Sequence, residues 1–361
     1  MTGFYYFREH ATDLEPSVVA YEVFQGEANS SYNNFVQNRS PAAYGQATFE
    51  LTDTLRLTTG GRLAVDKVDA QHEQLGYPDP VVQVPRVGHS ASWTSFLPRV
   101  GLDYQWTPAV MAYVSIAEGS KSGGFNGRAS SAEEFTQFEP EKVWAYEVGL
   151  RSEWFDKRMR VNATAFYSDY KDYQIQLNRS KIDPVTGLPV PFSFVGNVPK
   201  ARVTGGECWL LTVPAAGLRL SAGPGITDGK YIEVLPGAPV KTDSQFVNAP
   251  KYTFTTSGEY SLALGSAGRL AGRVDYIHKS TIQYDYGNSP LVAQDPFGLV
   301  NARLTWQTPD PRVSIHLFGT NLSDTHYALG GLDDGPGGWL GEVIKLMGPP
   351  RQWGVGAQYR F

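Results

Sequence analysis

Glu147, Arg151 and Glu153 are the side chains whose types and spacing come closest to those of a catalytic site. In an extended segment their odd-numbered positions share one face, where two carboxylates and a guanidinium would suit general acid–base catalysis. The same residues also suit the wall of a wide, water-filled channel, where charged side chains are solvated or contact another part of the protein. We expect the channel wall, and the sequence therefore predicts no enzyme.

The sequence assigns no catalytic, cofactor-binding or metal-binding residue. Asn321 and Asp324 carry oxygen ligands, but no partner cluster lies nearby, so we expect them to cap a turn. The segment Gly119 to Asn126 lacks the spacing of a P-loop and follows a strand without opening a helix, so we expect a loop hinge. A single cysteine, Cys208, excludes an internal disulfide. Neither H-x-x-x-H nor H-E-x-x-H spacing occurs among the six histidines, which are His10, His72, His89, His278, His316 and His326.

Composition narrows the class of protein. The net charge of −5 argues against a nucleic-acid-binding protein, and the sequence contains no cluster of Lys and Arg that could bind phosphates. The apolar fraction is 41%, and no run of about 18 apolar residues occurs, so no transmembrane helix is expected. The first eight residues show neither the basic leader nor the apolar region of a signal peptide. Membrane-spanning strands stay possible, because apolar and polar residues alternate in them.

The segment from Trp144 to Trp154 has the pattern of such a strand. Its even positions are mostly apolar or aromatic, and its odd positions include the three charged residues named above. Ten residues separate the two tryptophans, which is about 33 Å of extended chain. At a tilt near 45° this becomes roughly 23 Å along the membrane normal, close to the ~25 Å apolar band between the aromatic girdles of an outer-membrane barrel. We expect the apolar face to contact lipid and the polar face to line a lumen.

Other segments repeat this alternation. Trp353 to Phe361 carries aromatic and small residues on one face and ends the chain on an aromatic residue. Met159 to Tyr167 alternates with one exception, Phe166, and His316 is expected to face the lumen. A soluble β-sandwich with a carbohydrate-binding face remains an alternative, although it would not need paired aromatic girdles.

Short turns and long polar loops alternate along the chain. This arrangement predicts an all-β, antiparallel transmembrane barrel segment with short periplasmic turns and long extracellular loops. The short turns are 51–54, 107–109, 155–158, 214–217, 265–268 and 308–311, and the long loops include 71–90, 119–139, 178–196, 228–249 and 330–349. About fourteen strand cores are expected, at 3–8, 42–51, 55–69, 93–106, 110–119, 142–154, 159–177, 197–213, 218–227, 251–264, 269–286, 299–307, 312–322 and 350–361.

Four motifs resemble, in order and spacing, those of TonB-dependent outer-membrane receptors. One departure from the family pattern is Ser120, where an aromatic residue is common. The motifs are Ala112 to Ser115 continuing through Ala117 to Asn126, Pro140 to Trp144 followed by Tyr146 to Arg151, Gly319 to Asp324 with Tyr327, and the terminal Tyr359 to Phe361.

The resemblance implies a 22-stranded barrel whose lumen is filled by a plug. Residues 1–361 would form the C-terminal portion of that barrel domain, with Met1 near the ninth strand and with neither a plug domain nor a signal peptide.

The resemblance also implies a function. These receptors lie in the outer membrane of Gram-negative bacteria and take up a scarce, bulky ligand, most often a ferric siderophore, by energy coupling. The expected partners are outer-membrane lipid, the ligand, and the TonB energy-transducing complex acting through a plug. Without a plug the chain is not expected to transport by itself. The sequence leaves the ligand-binding residues unknown, although the aromatic loop residues Tyr77, Phe192, Tyr231 and Trp339 are candidates for ligand contact.

A passive, porin-like channel is the second alternative. Fourteen is an even number, so the strand at Gly3 to Arg8 could pair with Trp353 to Phe361 and close a smaller barrel. The backbones of Tyr5 and Val355 would then lie about 5 Å apart.

Overall fold

The protein, in a computed structural model, is built around one antiparallel sheet of fourteen strands. The structure describes residues 1–21, 26–76, 79–182, 189–235, 240–334 and 342–361. The strands are β1 Thr2–Tyr21, β2 Gly26–Glu50, β3 Leu55–Gly76, β4 Val82–Thr107, β5 Val110–Lys121, β6 Gly124–Phe125, β7 Gln137–Phe138, β8 Glu141–Trp154, β9 Met159–Ile182, β10 Pro189–Ala215, β11 Leu218–Glu233, β12 Tyr252–Ala263, β13 Arg269–Lys279, β14 Phe297–Gln307, β15 Val313–Thr320, β16 Ala328–Asp334, β17 Glu342–Met347 and β18 Gln352–Tyr359.

The order of strands in the large sheet is their order in the chain. Two short hairpins, β6–β7 and β16–β17, stand apart from it. Each of the fourteen expected cores lies on one strand of the large sheet, and the six expected short turns connect its neighbours, so the predicted strand count and fold class are confirmed. No helix within the described ranges is long and apolar enough to cross a membrane.

The strands reach further than the sequence pattern indicates. The expected loops at 71–90 and 178–196 continue as strands for much of their length, and the first core, 3–8, extends to Tyr21. Conversely, the expected core 269–286 ends at Lys279. Outside the hydrocarbon both faces of a strand meet water, so the alternation stops. Cross-strand pairing continues there, as between Ser30 and Gly76, because the backbone groups still bond to each other.

The two faces of the sheet differ in polarity, as predicted: one carries exposed apolar side chains and the other carries charged and polar ones. We call the face that carries Trp144 and Trp154 the outer face, and both rings are exposed on it. Glu147 lies on the opposite, inner face, where its carboxylate accepts a hydrogen bond of 2.6 Å from the hydroxyl of Tyr113. A single sheet with an exposed apolar face overturns the soluble β-sandwich, which would bury that face between two sheets.

Phe166, the exception to the alternation, has a local cause, and His316 lies on the inner face as predicted. The ring of Phe166 lies on the inner face over Gly205, at a place where a Cβ on the glycine would overlap it. His316 is likewise on the inner face, in register with Thr305, and its imidazole covers Gly356. In both cases an aromatic ring fills the space left by a glycine on the neighbouring strand.

The ends of the sheet are β1 and β18. In the described part of the chain these two strands do not pair with each other, and Phe4 and Trp353 are 92% and 78% exposed. Pairing of Tyr5 with Val355, which a closed fourteen-stranded channel requires, is therefore not observed among these residues.

Replacing Gly149 with Ala tests the packing of rings over glycines. A Cβ at Gly149 would overlap the ring of Tyr113, which would have to leave the glycine and its bond to Glu147. We expect the free energy of unfolding to fall by about 1–3 kcal/mol, measured by urea titration with tryptophan fluorescence. At the control, Gly101→Ala, the new Cβ meets its nearest atom at 3.7 Å, and a change within about 0.5 kcal/mol is expected. Equal losses in both variants would contradict this account.

Candidate ligand-binding face

Two aromatic clusters occupy the inner face near the ends of the strands that lie opposite the short turns. We call the first the histidine cluster, in which Phe135 stacks with His72 at 5.4 Å and with His89 at 5.5 Å between ring centroids. Its rings belong to Tyr32, His72, His89, Phe125 and Phe135. Phe125 and Phe135 come from the segment between β5 and β8, so this segment folds onto the inner face.

His72 is fixed at the centre of the histidine cluster. Its ring is fully buried, with Nδ1 2.8 Å from the amide of Asn34 and Nε2 2.8 Å from the carbonyl oxygen of Ala129. His72 stands well above the apolar band, and burial lowers its pKa. Its Nε2 faces the carbonyl oxygen of Ala129, and its Nδ1 faces the amide oxygen of Asn34. Both nitrogens are occupied, so His72 has a structural role.

The second cluster is made of phenol and phenyl rings, and we call it the tyrosine cluster. Tyr231 lies 4.6 Å from Phe246, and Tyr173 lies 5.2 Å from Phe246, between ring centroids. The members are Tyr170, Tyr173, Tyr231, Phe246 and Tyr286, and apolar residues such as Ile175 and Val198 pack beneath them. Burial raises the pKa of Tyr231 and Tyr286, so these phenols stay protonated at neutral pH.

Tyr231 illustrates a correction. As a loop residue it was a candidate for ligand contact, but it lies in strand β11 and is 1% exposed. The strand continues beyond the expected core, and the segment that follows folds back, so that Phe246 covers the ring. Among the other candidates, Tyr77 and Trp339 lie outside the described residues, as does the side chain of Phe192.

A local change of backbone conformation in β9 lets Tyr170 and Tyr173, which are three residues apart, join the same cluster. Asp172 has a positive φ of 54°, which interrupts the alternation of the strand. Before this residue Tyr170 points to the inner face, and after it Tyr173 and Ile175 do so. Sequence reasoning missed this switch, although the break in the apolar pattern at Asp169 and Lys171 marks the place.

Three amides connect the segment between β5 and β8, residues 122–140, to β9 and β10. The Gln174 amide donates to the carbonyls of Ser122 and Glu139, both at 2.9 Å. Asn126 exchanges two hydrogen bonds with the backbone of Val195, and Asn197 exchanges two with that of Glu139. We call residues 122–140 the anchored loop. It includes part of the glycine-rich segment expected to be a hinge, which continues as β6 and opens no helix.

The residues that suggested chemistry are not brought together as a catalytic group. Glu147 is bound to Tyr113, whereas Glu153 forms a salt bridge of 2.6 Å with Arg160 near a short turn. Arg151 lies over the ring of Tyr113 at 5.6 Å. These contacts describe a channel wall. Within the described ranges, no group of three or more His, Cys, Asp and Glu residues is arranged to hold a metal ion.

Asn321 caps a turn, as predicted, whereas the carboxylate of Asp324 accepts from the backbone N–H of Arg351 at 3.2 Å. The amide oxygen of Asn321 accepts from the backbone N–H of Thr325, and the amide nitrogen donates to the carbonyl of the same residue, each at 2.9 Å. Both Asn321 and Asp324 have positive φ, which Asn and Asp tolerate better than most residues.

Comparison with known proteins agrees with this architecture. The model of the TonB dependent receptor-like β-barrel family matches residues 1–322, so the chain belongs to that family of outer-membrane proteins of Gram-negative bacteria, which are not enzymes. Among curated relatives, the chain is 22% identical over 327 residues to the pesticin receptor of Yersinia enterocolitica, covering 85% of this chain and 44% of the relative. It is also 22% identical over 304 residues to the pesticin receptor of Yersinia pestis, covering 81% and 40%.

Solved structures share the fold. The ferric yersiniabactin uptake receptor FyuA of Yersinia pestis superimposes with a TM-score of 0.80 at 20% identity, over 100% of this chain and 51% of that one. For the ferric-catecholate import receptor Fiu of E. coli K12 in its closed form the TM-score is 0.71 at 18% identity, again over 100% and 51%. The chain thus spans about half the length of the proteins that it matches.

Gln174→Met tests how the anchored loop is held. The variant loses two hydrogen bonds, each contributing about 0.5–1.5 kcal/mol, so local opening should make trypsin cleavage after Arg128 roughly tenfold faster. Mass spectrometry of limited digests measures this rate. The control is Gln105→Met, which loses similar bonds beside the turn at Thr107 and should leave cleavage at Arg128 unchanged. An unchanged rate in Gln174→Met would show that other contacts hold the loop.

Tyr231→Phe tests the interior of the tyrosine cluster. The Tyr231 hydroxyl is buried without a hydrogen-bond partner among the described residues, so its removal should leave the free energy of unfolding unchanged or raise it by up to about 1 kcal/mol. Tyr113→Phe is the matched comparison, because that hydroxyl donates to Glu147 and its loss should cost about 1.5–3 kcal/mol. Urea titration measures both. A marked loss in Tyr231→Phe would reveal a partner for this hydroxyl.

Proposed function

We propose that this chain forms the wall and part of the extracellular face of a receptor for the energy-coupled uptake of a ferric siderophore. The observation that carries the proposal is the match of the whole chain, at a TM-score of 0.80, to an uptake receptor for ferric yersiniabactin. A ferripyoverdine receptor of Pseudomonas aeruginosa has the same fold over 99% of this chain, at a TM-score of 0.59. These similarities support a bulky iron chelate as the ligand class.

The inner face provides physical support for a wide, preformed mouth. The histidine cluster attaches the anchored loop above β3 and β4, and the tyrosine cluster attaches the segment of Phe246 above β9 to β11. Loops held by buried rings cost little ordering entropy when a ligand binds. A large, rigid chelate requires such a rim, because its own shape cannot adapt to the site.

Energy coupling is assigned to parts of the receptor other than these strands. The long strands described here belong to the wall. We therefore propose that residues 1–361 are the C-terminal portion of the barrel domain, and that the plug and the TonB complex move the ligand inward. By this assignment these residues alone bind ligand and lipid but do not transport.

A passive channel closed from fourteen strands is less well supported. Closure would place β18 beside β1, and this pairing is not observed among the described residues. In hydrocarbon each unpaired backbone group costs several kcal/mol, so two open edges would not be stable at the lipid boundary without a partner strand.

Deletion of the gene in its own bacterium tests the proposal. Under iron limitation, we expect uptake of radiolabelled iron from at least one member of a siderophore panel to fall at least tenfold, because the wall of its receptor is missing. A protonophore should abolish the same uptake in the parent strain. The wild-type gene and its Gln105→Met variant should both restore uptake.

Unchanged uptake of every siderophore in the deletion strain would overturn the proposal. A fall in the passage of small hydrophilic solutes that is insensitive to the protonophore would instead favour the passive channel.

A further inference from the structure

The large sheet contains a gap between β4 and β5. Pairing of these strands ends at Arg99 and Ala117, although β4 extends back to Val82 and β5 extends on to Lys121. Beyond this point their facing backbone edges are not paired with each other. A cavity of about 370 Å³ lies at the gap, lined by residues of β4, β5 and the segments around them. The cavity is thus a break in the wall that cross-strand pairing does not close.

Carboxylates dominate the charge of this cavity, which we call the acidic cavity. Asp66 comes from β3, Glu139 from the anchored loop and Asp172 from β9. Lys142 is the single basic residue among the described lining residues, so three carboxylates and one ammonium give a formal charge of −2. Like charges brought together from three separate segments repel each other. The fold gains nothing from this arrangement by itself.

The neighbours of these carboxylates orient them without neutralising them. Oδ1 of Asp66 accepts from the hydroxyl of Ser40 at 2.6 Å, and Oε2 of Glu139 accepts from the indole N–H of Trp93 at 3.2 Å. The Asp172 carboxylate has neither a hydrogen bond nor a salt bridge with another described residue. These donors are uncharged, and a carboxylate has about four sites at which it can accept. Lone pairs therefore remain on all three groups.

A buried hydroxyl gives independent evidence of a guest in the acidic cavity. Ser95 lines the cavity and is only 9% exposed, and its Oγ has no hydrogen-bond partner among the described residues. A buried polar atom without a partner costs free energy, and such atoms often contact an ordered water or ion. Oxygen ligands of this kind suit Mg²⁺ and Ca²⁺. Further hydroxyls of the lining belong to Ser92, Thr94, Ser120 and Ser122.

The size of the acidic cavity fits an ion that keeps its water shell. The carboxylates do not converge closely enough to hold a bare ion, since no described group of three or more His, Cys, Asp and Glu residues is arranged for this. Six waters occupy about 180 Å³ by their share of liquid volume, so a hexahydrated ion fits into the cavity and reaches the carboxylates through its waters. Mg²⁺ loses water reluctantly and is usually bound through only one or two carboxylates. Hydrated Mg²⁺ therefore matches both the charge and the volume.

We propose that the acidic cavity binds hydrated Mg²⁺. Waters of the ion donate to the carboxylates of Asp66, Glu139 and Asp172, and another water donates to the hydroxyl of Ser95. The ion thereby connects β3, the anchored loop and β9 at the place where the pairing of β4 with β5 stops. Lys142 opposes the ion and limits its affinity. This cation site does not depend on which ligand the receptor takes up.

Thermal unfolding with and without Mg²⁺ tests this site, with protein purified in neutral detergent and washed with EDTA. Compared with NaCl of the same ionic strength, MgCl₂ should raise the unfolding temperature of wild type by about 2–4 °C, because the ion binds the folded state. Asp172→Asn should lose at least half of this rise, because one of the three carboxylates no longer attracts the ion. Asp53→Asn, which removes the same charge in an exposed short turn, is the control and should follow wild type.

Two further variants change the affinity for Mg²⁺ in opposite directions, measured by isothermal titration calorimetry. Lys142→Gln removes the opposing charge and should raise the affinity about threefold to tenfold. Ser95→Ala removes the hydroxyl that contacts the water shell and should lower the affinity about threefold to tenfold. Without Mg²⁺, Ser95→Ala should unfold within about 2 °C of wild type, because the lost hydroxyl had no protein partner there.

Hexaamminecobalt(III) tests whether the ion keeps its water shell. This ion is similar in size to hydrated Mg²⁺ and does not exchange its ligands, so it should stabilise wild type at least as much as Mg²⁺ does. No stabilisation by hexaamminecobalt(III), equal stabilisation of wild type and Asp172→Asn by Mg²⁺, or a lower affinity in Lys142→Gln would overturn the proposal.

Discussion

Backbone hydrogen bonding in a medium without water is the constraint on which this structure depends. Each unpaired N–H or C=O costs several kcal/mol in hydrocarbon, so a strand that crosses the membrane must pair along its whole length on both sides. Antiparallel pairing of each strand with the next one in the chain meets this requirement with short connections. The fourteen strands of the large sheet are arranged in this way, without a crossover. The alternation of apolar and polar residues then follows, because successive side chains meet lipid and lumen in turn.

Beyond the apolar band the same pairing serves a different purpose. The strands continue into water and form a raised wall on which buried rings can hold loops. His72 and Tyr231 are the most deeply buried members of the two clusters, and each fixes a segment that returns from another part of the chain. The inner face thereby carries two packed clusters of rings, while apolar side chains such as Trp144 and Trp154 are exposed on the outer face.

The fold was largely predictable, and its extramembrane part was not. Trp144 and Trp154 mark the width of the apolar band because a period of two is a local property of a strand. The expected loops at 71–90 and 178–196 were wrong in extent. Above the membrane both faces of a strand meet water, so the sequence shows no apolar–polar alternation there by which a strand could be recognised. Tyr231 was assigned to a loop for the same reason, and only the packing of Phe246 over it reveals a buried position.

By itself the sequence determined the all-β class, the number and order of the strands, the turn positions, the faces of most membrane residues and the resemblance to one receptor family. These properties depend on residues close together in the chain. The tertiary structure decided which loops fold inward, how Gln174 and Asn126 anchor residues 122–140, and which residues of neighbouring strands lie opposite each other. Lys67 and Arg39 are 28 positions apart in sequence and directly opposite in the sheet. Register and loop packing join such distant residues, and no local pattern specifies them.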